Sequence, residues 1–322
     1  MLETKTMFAP IKQDMPKVKE VLDGIADVEH QPLAELLRYI MDLGGKRIRP
    51  ALTLLAGKFH DYDLTRLVPM AAAIEALHTA TLVHDDVIDV AFLRRGNPTL
   101  NSLWNSSTAV LVGDYLFAKS ADLVAKVRNH RVNELFAQTL MEICSGELRQ
   151  VFSAFRTEQT REEYFRKIRA KTASLFSAAM RSGAILSSAP EPDIQALTTY
   201  GSSLGIAFQI VDDVLDFVGD EDKLGKPVGN DLRHGTLTLP ALLFLERYPN
   251  DNRVRRVLEN PGVEAYTYEA IMTIRNSEAI DESYKIAEQF CATARASLSS
   301  FPKTEHHECL LDLADYVIER RH

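Results

Sequence analysis

Apolar residues recur at spacings of three and four along nearly the whole chain, and no stretch alternates apolar and polar residues for long. That is the pattern of helices and not of strands. Breakers interrupt it at Pro32, Gly44-Gly45, Pro50, Pro69, Gly96 to Pro98, Pro190 to Pro192, Pro227, Pro249, Pro261 and Pro302. The spacing predicts a helix over residues 194–218, whose apolar side chains at 194, 197, 200, 204, 208, 211, 215 and 218 form one continuous stripe. A second long helix is predicted from Pro69, a good first helical residue, to Val90, through the run MAAAIEAL. No Gly, Ser or Pro-rich linker, low-complexity run or fixed-period repeat divides the sequence. The expectation is an all-α fold with one domain spanning residues 1–322.

Composition narrows the class. The 322 residues are 46% hydrophobic and 25% charged, close to a soluble globular average, and no uninterrupted apolar run is long enough to span a bilayer. Lys and Arg number 37 against 45 Asp and Glu, a net charge of -8, which argues against a broad nucleic-acid footprint. The start, MLETKTMFAPIKQDM, has no apolar core of a secretory signal, so a cytoplasmic location is expected. Cys144, Cys291 and Cys309 form no CxxC pair and are expected to be core thiols.

Candidate chemistry lies in two matching acidic motifs on predicted helices. His84-Asp85-Asp86-Val87-Ile88-Asp89 and Asp212-Asp213-Val214-Leu215-Asp216 each place carboxylates at i, i+1 and i+4. Residues i and i+4 of a helix are about 40° apart in projection and about 6 Å apart along the axis. Asp85 with Asp89, and Asp212 with Asp216, therefore form one-faced pairs of like charge among Val, Ile and Leu, and such pairs need cations when partly buried. With no thiolates or metal-spaced histidines at hand, oxygen-liganded Mg²⁺ fits, bridging carboxylates to substrate phosphates. A solvated acidic helix face is the other reading of one such motif alone.

Basic segments accompany both motifs. Arg94-Arg95-Gly96 follows the first; Lys223 and Lys226 follow the second among Gly219, Gly225 and Gly229; Gly44-Gly45-Lys46-Arg47-Ile48-Arg49-Pro50 lies upstream. Arg and Lys beside glycine backbone suit diphosphate oxygens. His78 falls on the face of Asp85, two turns earlier, and Gln209 lies three residues before Asp212. Gly201 and Gly205 on that side leave either room for a bulky apolar ligand or a surface for close helix packing.

The ordered set GGKRIRP (44 to 50), HTATLVHDDVIDVAFLRRG (78 to 96), GDYLFA (113 to 118), KTASLF (171 to 176) and GIAFQIVDDVLDFVGDEDKLGKPVGND (205 to 231) resembles the all-trans polyprenyl diphosphate synthases. Within that family the HTATLVHDD context is most similar to long-chain members such as octaprenyl or heptaprenyl diphosphate synthases. The resemblance implies the isoprenoid synthase fold, a single-domain bundle of long helices around a central apolar cavity, as a homodimer, with the two aspartate motifs facing each other across the cavity mouth. It implies Asp85, Asp89 and Asp212 as ligands of several Mg²⁺ ions, supported by Asp86, Asp213 and Asp216. Arg94, Lys171 and Lys226 match positions that hold an allylic diphosphate, and Lys46, Arg49, His78 and Arg95 match an isopentenyl diphosphate site. Thr172 and Gln209 match residues near the developing allylic cation.

The implied reaction is ionisation, condensation and proton elimination, with no protein nucleophile. Small residues at Ala80 and Thr81 imply a deep product tunnel and a product of geranylgeranyl length or longer, unless Phe117 or another residue of the next helix closes it. Thr236 stands where many members carry Lys, which puts one diphosphate contact in doubt, and Arg320-Arg321 reads either as a solvated tail or as a lid over isopentenyl diphosphate. Two rival readings remain: a class I terpene cyclase, against which Lys46, Arg49 and His78 speak, and a non-catalytic or regulatory subunit of a heteromeric synthase, against which the two intact motifs speak.

Overall fold

A computed structural model of the chain describes residues 8–219 and 228–320. The all-α expectation holds: the described residues form helices throughout, with one two-stranded hairpin, Leu93–Arg94 against Asn97–Pro98. By contact the chain divides into two compact units. The first comprises Met1–Gln138, Leu175–Gly201 and Ser300–Asp312, the second Thr139–Ser174, Ser202–Ser299 and Leu313–His322.

In the first unit the helix Leu64–Ile88 is the central element, with Met15–Asp23, Ile48–Gly57 and Ser106–Lys126 packed on it. Residues 70 to 77 of this helix are buried without exception, so it has no solvent face there. A helix apolar on all sides belongs inside a core, and by length and composition alone it would also pass for a membrane span. This helix begins at Leu64 and not at Pro69. Asp63 caps it, its carboxylate accepting from the Thr65 N–H at 2.9 Å, and Pro69 is carried inside. The missing N–H of Pro69 deprives only the Thr65 carbonyl, and burial on all sides outweighs that loss. The helix ends at Ile88, two residues before the predicted Val90, which adopts a left-handed φ of 50°.

The helix Ser106–Lys126 starts at an Asn105 cap that accepts from Thr108 N–H at 2.8 Å. Its Gly113 lies against the His84 ring, where a Cβ would overlap the imidazole, and Phe117 meets the same ring edge-on with centroids 5.0 Å apart. For Gly201 one side of the alternative left open by the sequence holds. A Cβ there would come within 2.6 Å of the Phe176 carbonyl, so this glycine serves close helix packing and not a ligand gap.

In the second unit the helices Leu239–Arg247, Arg253–Glu259, Glu264–Arg275 and Ala279–Ser297 pack on one another, and Arg161–Ile168 packs on Leu239–Arg247. Arg161–Ile168 opens with a capping box, Thr160 and Glu163 each satisfying the other's backbone N–H. The helices His130–Ser153 and Glu191–Val218 contribute residues to both units, the latter beginning three residues before the predicted 194. Cys291 and Cys309 are core thiols as expected, but Cys144 is exposed. It lies on the outer side of its helix with Met141 and Leu148, a face the apolar spacing alone reads as core.

Replacing Gly113 with alanine forces the His84 ring out of its slot. The expected cost is about 1 to 3 kcal/mol in urea unfolding. Combining it with His84→Ala should recover most of that loss; equal destabilisation with and without the histidine would refute the clash.

Candidate active site

The first acidic motif occupies the C-terminal turn of Leu64–Ile88, where the unsatisfied carbonyls already disfavour anions. Its three aspartates divide by environment. Asp86 is buried and accepts a 2.7 Å hydrogen bond from Arg94 Nε. Burial pushes its carboxyl pKa up, the Arg94 charge opposes that, and Asp85 and Asp89 add to the rise. Asp85 and Asp89 remain partly exposed, and the Asp89 N–H still reaches the Asp85 carbonyl at 2.8 Å, which keeps both in one turn.

Arg94 and Arg95 are presented by the short hairpin. Its two-residue turn, Arg95-Gly96, has φ of 53° and 78°, as a primed hairpin turn requires. Arg95 donates to the Gly44 carbonyl and lies so close to Gly45 that a Cβ there would come within 2.7 Å of the guanidinium. The glycine pair of GGKRIRP therefore makes room for an arginine from another segment. Arg47, with a φ of 51°, turns back to Glu75 at 3.3 Å, and Arg49 lies over the Phe176 ring at 4.5 Å. Lys46 is exposed. Arg47, Glu75, His78, Asp86, Arg94 and Arg95 line one small cavity of about 50 Å³.

Two groups there are tuned by burial. Burial raises the Glu75 pKa, opposed by Arg47, Arg49 and Arg95. Burial and then the neighbouring guanidinium groups push His78 well below the ordinary histidine value, so it offers a neutral ring and not a charge. Ala80 is fully buried in the same helix, and the Thr81 hydroxyl is turned back onto the His78 carbonyl at 2.7 Å.

In the second unit, Lys171 and Thr172 sit in a π turn, Arg169–Ala173, inserted between two α-helical stretches. The turn packs on Gly146, where a Cβ would lie 2.9 Å from that of Ala170. Lys171 Nζ is 2.8 Å from the Glu147 carboxylate. The Thr172 hydroxyl donates to Gln209 Oε1 at 2.6 Å, Gln209 Nε2 donates to Asp213 Oδ1 at 2.7 Å, and the Tyr164 hydroxyl donates to Asp213 Oδ2 at 2.6 Å. Both Asp213 oxygens are thus engaged, and burial, with Asp231 nearby, pushes its pKa up to about 7. Asp216 is buried as well: its carboxylate accepts from the Asp231 N–H at 3.1 Å and its carbonyl from Gly229 N–H at 2.6 Å.

The likeness of the two motifs therefore stops at the sequence. Asp216 anchors the returning chain, whereas its counterpart Asp89 stays partly exposed. Asp212 is the partly exposed aspartate of the second motif, and Arg320 donates to its Oδ1 at 2.7 Å while lying over the Phe208 ring at 4.4 Å. Arg320 is thus not a solvated tail but stands on a candidate metal ligand, and Arg321 lies outside the described residues. Lys226 and Lys223 lie outside the described residues, and Thr236 is buried with its N–H on the Asp231 carbonyl.

Metal fit follows from these environments. Asp85, Asp89 and Asp212 supply hard oxygen donors, and a guanidinium already stands on Asp212 where a cation is called for. Mg²⁺ suits such donors, because it takes few carboxylates and completes its shell with phosphate and water. Glu75, Glu147 and Tyr164 carried no signal in the sequence, because each acts on a partner at least 24 residues away.

Truncating Glu75 to alanine strands Arg47 and should lower stability by about 3 kcal/mol, measured by denaturant unfolding. In a pH titration followed by NMR, the His78 ring should stay neutral through the range near 6.5 where ordinary histidines charge. A normal titration would contradict its enclosure.

Comparison with known proteins places this architecture. Residues 30–274 match the family model described as polyprenyl synthetase. The chain is 40% identical over 322 residues to a protein of Geobacillus stearothermophilus named heptaprenyl diphosphate synthase component 2, covering 99% of each. A decaprenyl diphosphate synthase structure from Rhodobacter capsulatus superimposes with a TM-score of 0.92 at 38% identity, over 99% of this chain and 100% of that one. A heptaprenyl diphosphate synthase structure from Staphylococcus aureus gives 0.93 at 33% identity, over 100% and 99%. With its aspartate motifs intact on helix ends and the family model spanning most of its length, the chain belongs to the polyprenyl synthetase family and is a prenyltransferase.

Proposed function

We propose that this chain condenses isopentenyl diphosphate with an allylic diphosphate to give an all-trans polyprenyl diphosphate of geranylgeranyl length or longer. The observation that carries the reading is the division within each motif: Asp86, Asp213 and Asp216 are buried in protein contacts, whereas Asp85, Asp89 and Asp212 keep exposed edges at helix C-termini. Those three would hold Mg²⁺, which when bound lowers the charge on the leaving diphosphate.

The chain's own residues do the rest. Lys171, positioned by Glu147, and Arg94, positioned by Asp86, offer charge to the allylic diphosphate, joined by Lys226. Lys46, Arg49 and Arg95 offer charge to isopentenyl diphosphate, with His78 as a neutral hydrogen-bonding ring. The allylic C–O bond breaks, leaving a cation whose charge the Thr172 and Gln209 oxygens can stabilise. The double bond of isopentenyl diphosphate attacks that cation through its terminal carbon, which moves the positive charge to the methyl-bearing carbon, and a proton from the CH2 on the diphosphate side of that carbon passes to the released diphosphate and leaves the new double bond. The site must also exclude the water that would quench the cation. Heptaprenyl and decaprenyl products in the names of similar proteins, with small Ala80 and Thr81 here, support a long product. A homodimer in the cytoplasm completes the reading.

The deciding assay supplies labelled isopentenyl diphosphate with dimethylallyl, geranyl, farnesyl or geranylgeranyl diphosphate, with and without Mg²⁺. A ladder ending at one length, seen only with Mg²⁺, is expected. Asp85→Ala with Asp89→Ala should lower the rate by at least about 10³-fold, and full activity would sink the ligand assignment. Ala80→Phe should shorten the final product; unchanged length would reject the tunnel. A second reading has one observation behind it, the component name of the Geobacillus protein. Elongation that appears only after a second chain is added would favour it over a self-sufficient homodimer.

A further inference from the structure

A second cationic cavity lies in the Thr139–Ser174 part of the second unit, built from residues to which the reaction above gives no role. Its volume is about 400 Å³. The last turn of His130–Ser153 contributes Arg149 and Phe152, the following loop Arg156, and the helix Arg161–Ile168 contributes Arg166 and Lys167. Leu237 closes the lining from the returning chain.

The walls are fixed. Phe155 N–H donates to the Gly235 carbonyl at 2.9 Å, Gln159 Nε2 donates to the same carbonyl at 3.3 Å, and Leu237 N–H donates to Gln159 Oε1 at 3.4 Å. These bonds tie the loop that carries Arg156 to the segment that carries Leu237. Gly235, at a φ of 71°, lets Phe155 approach to where a Cβ would stand.

Charge inside the cavity is unbalanced. Four cationic side chains face one lining carboxylate, Glu163, in a chain whose net charge is -8. Arg166 is held by Glu162 at 2.7 Å, and Arg156 is 3.5 Å from Glu163, too long for a strong pair. Among the described residues, Arg149 and Lys167 have no ion pair at all. Lys167 instead lies 5.6 Å over the Tyr164 ring, and burial lowers its pKa against the opposing pull of the Asp213, Asp231 and Glu147 carboxylates. Beside these charges Phe152 is 78% exposed, an apolar surface that calls for cover.

We propose that this cavity binds a phosphate or diphosphate group borne on an apolar chain, the anion between Arg149, Arg156 and Lys167 and the chain along Phe152 and Leu237. Guanidinium forks match phosphate oxygens, and the apolar wall selects an amphiphile over a bare nucleotide sugar. The headgroup belongs either to a free prenyl diphosphate or to an anionic lipid.

The test uses the full chain with a chelator present, so that metal-bridged binding at the aspartates is removed. Inorganic diphosphate is titrated by calorimetry, and sedimentation is followed with phosphatidylcholine vesicles with and without phosphatidylglycerol. Arg149→Ala combined with Arg156→Ala removes two exposed side chains, and circular dichroism checks that the variant folds. Binding of inorganic diphosphate that weakens about tenfold or more in this variant and is unchanged in Lys171→Ala supports the site with a free anion as its source. Sedimentation with phosphatidylglycerol vesicles that is lost in the variant supports it with a lipid headgroup. If neither probe distinguishes the variant from the parent chain, or if diphosphate binding is lost only in Lys171→Ala, the proposal is overturned. Elongation with Mg²⁺ is read separately, so failure of the catalytic reading leaves this result standing.

Discussion

A carboxylate removed from water must be given donors or a cation, and that requirement organises both acidic motifs. Each is set where a helix runs out of N–H groups and its own carbonyls face the same way as the charges. Arg94 satisfies Asp86; Gln209 and Tyr164 satisfy Asp213; the Asp231 amide satisfies one oxygen of Asp216. The partly exposed Asp85, Asp89 and Asp212 are thereby set apart from the buried three, and Asp212 carries Arg320. The same rule explains Glu75, buried among arginines, and Glu147 beside Lys171: each acidic group holds a basic partner in place.

Legibility in the sequence followed the range of each interaction. The helix Glu191–Val218 showed as an apolar stripe because Ile194, Leu197, Tyr200, Leu204 and Val211 are buried at helical spacing, and the prediction missed its start by three residues. The helix Leu64–Ile88 was placed too late because it is buried all round: periodicity vanishes there, so Pro69 was the strongest local signal although Asp63 is the cap. Six aspartates could be paired by helical arithmetic alone. Which of them stay exposed could not be, since Asp216 is claimed by a backbone amide fifteen residues on and Asp86 by a guanidinium eight residues on.

Glycines illustrate the same limit. Gly45, Gly113, Gly146 and Gly201 look alike in the sequence, yet each admits a different neighbour: a guanidinium, an imidazole, a π turn and a backbone carbonyl. Only the packing says which. Cys144 is the converse case, an apolar residue type at an apolar spacing that is nonetheless on the surface beside Met141 and Leu148.

The π turn Arg169–Ala173 has a consequence for how this region can change over evolutionary time. It holds one more residue than an α-helical turn would, and its five residues sweep about the angle that four sweep in an α turn. Deleting a single residue there would restore a regular helix and leave the segments on either side facing as they do. The loss would fall inside the turn, on the contact of Lys171 with Glu147 or of Thr172 with Gln209. A change of length in this stretch is therefore registered by the two side chains the turn presents, while the helices that flank it stay in place.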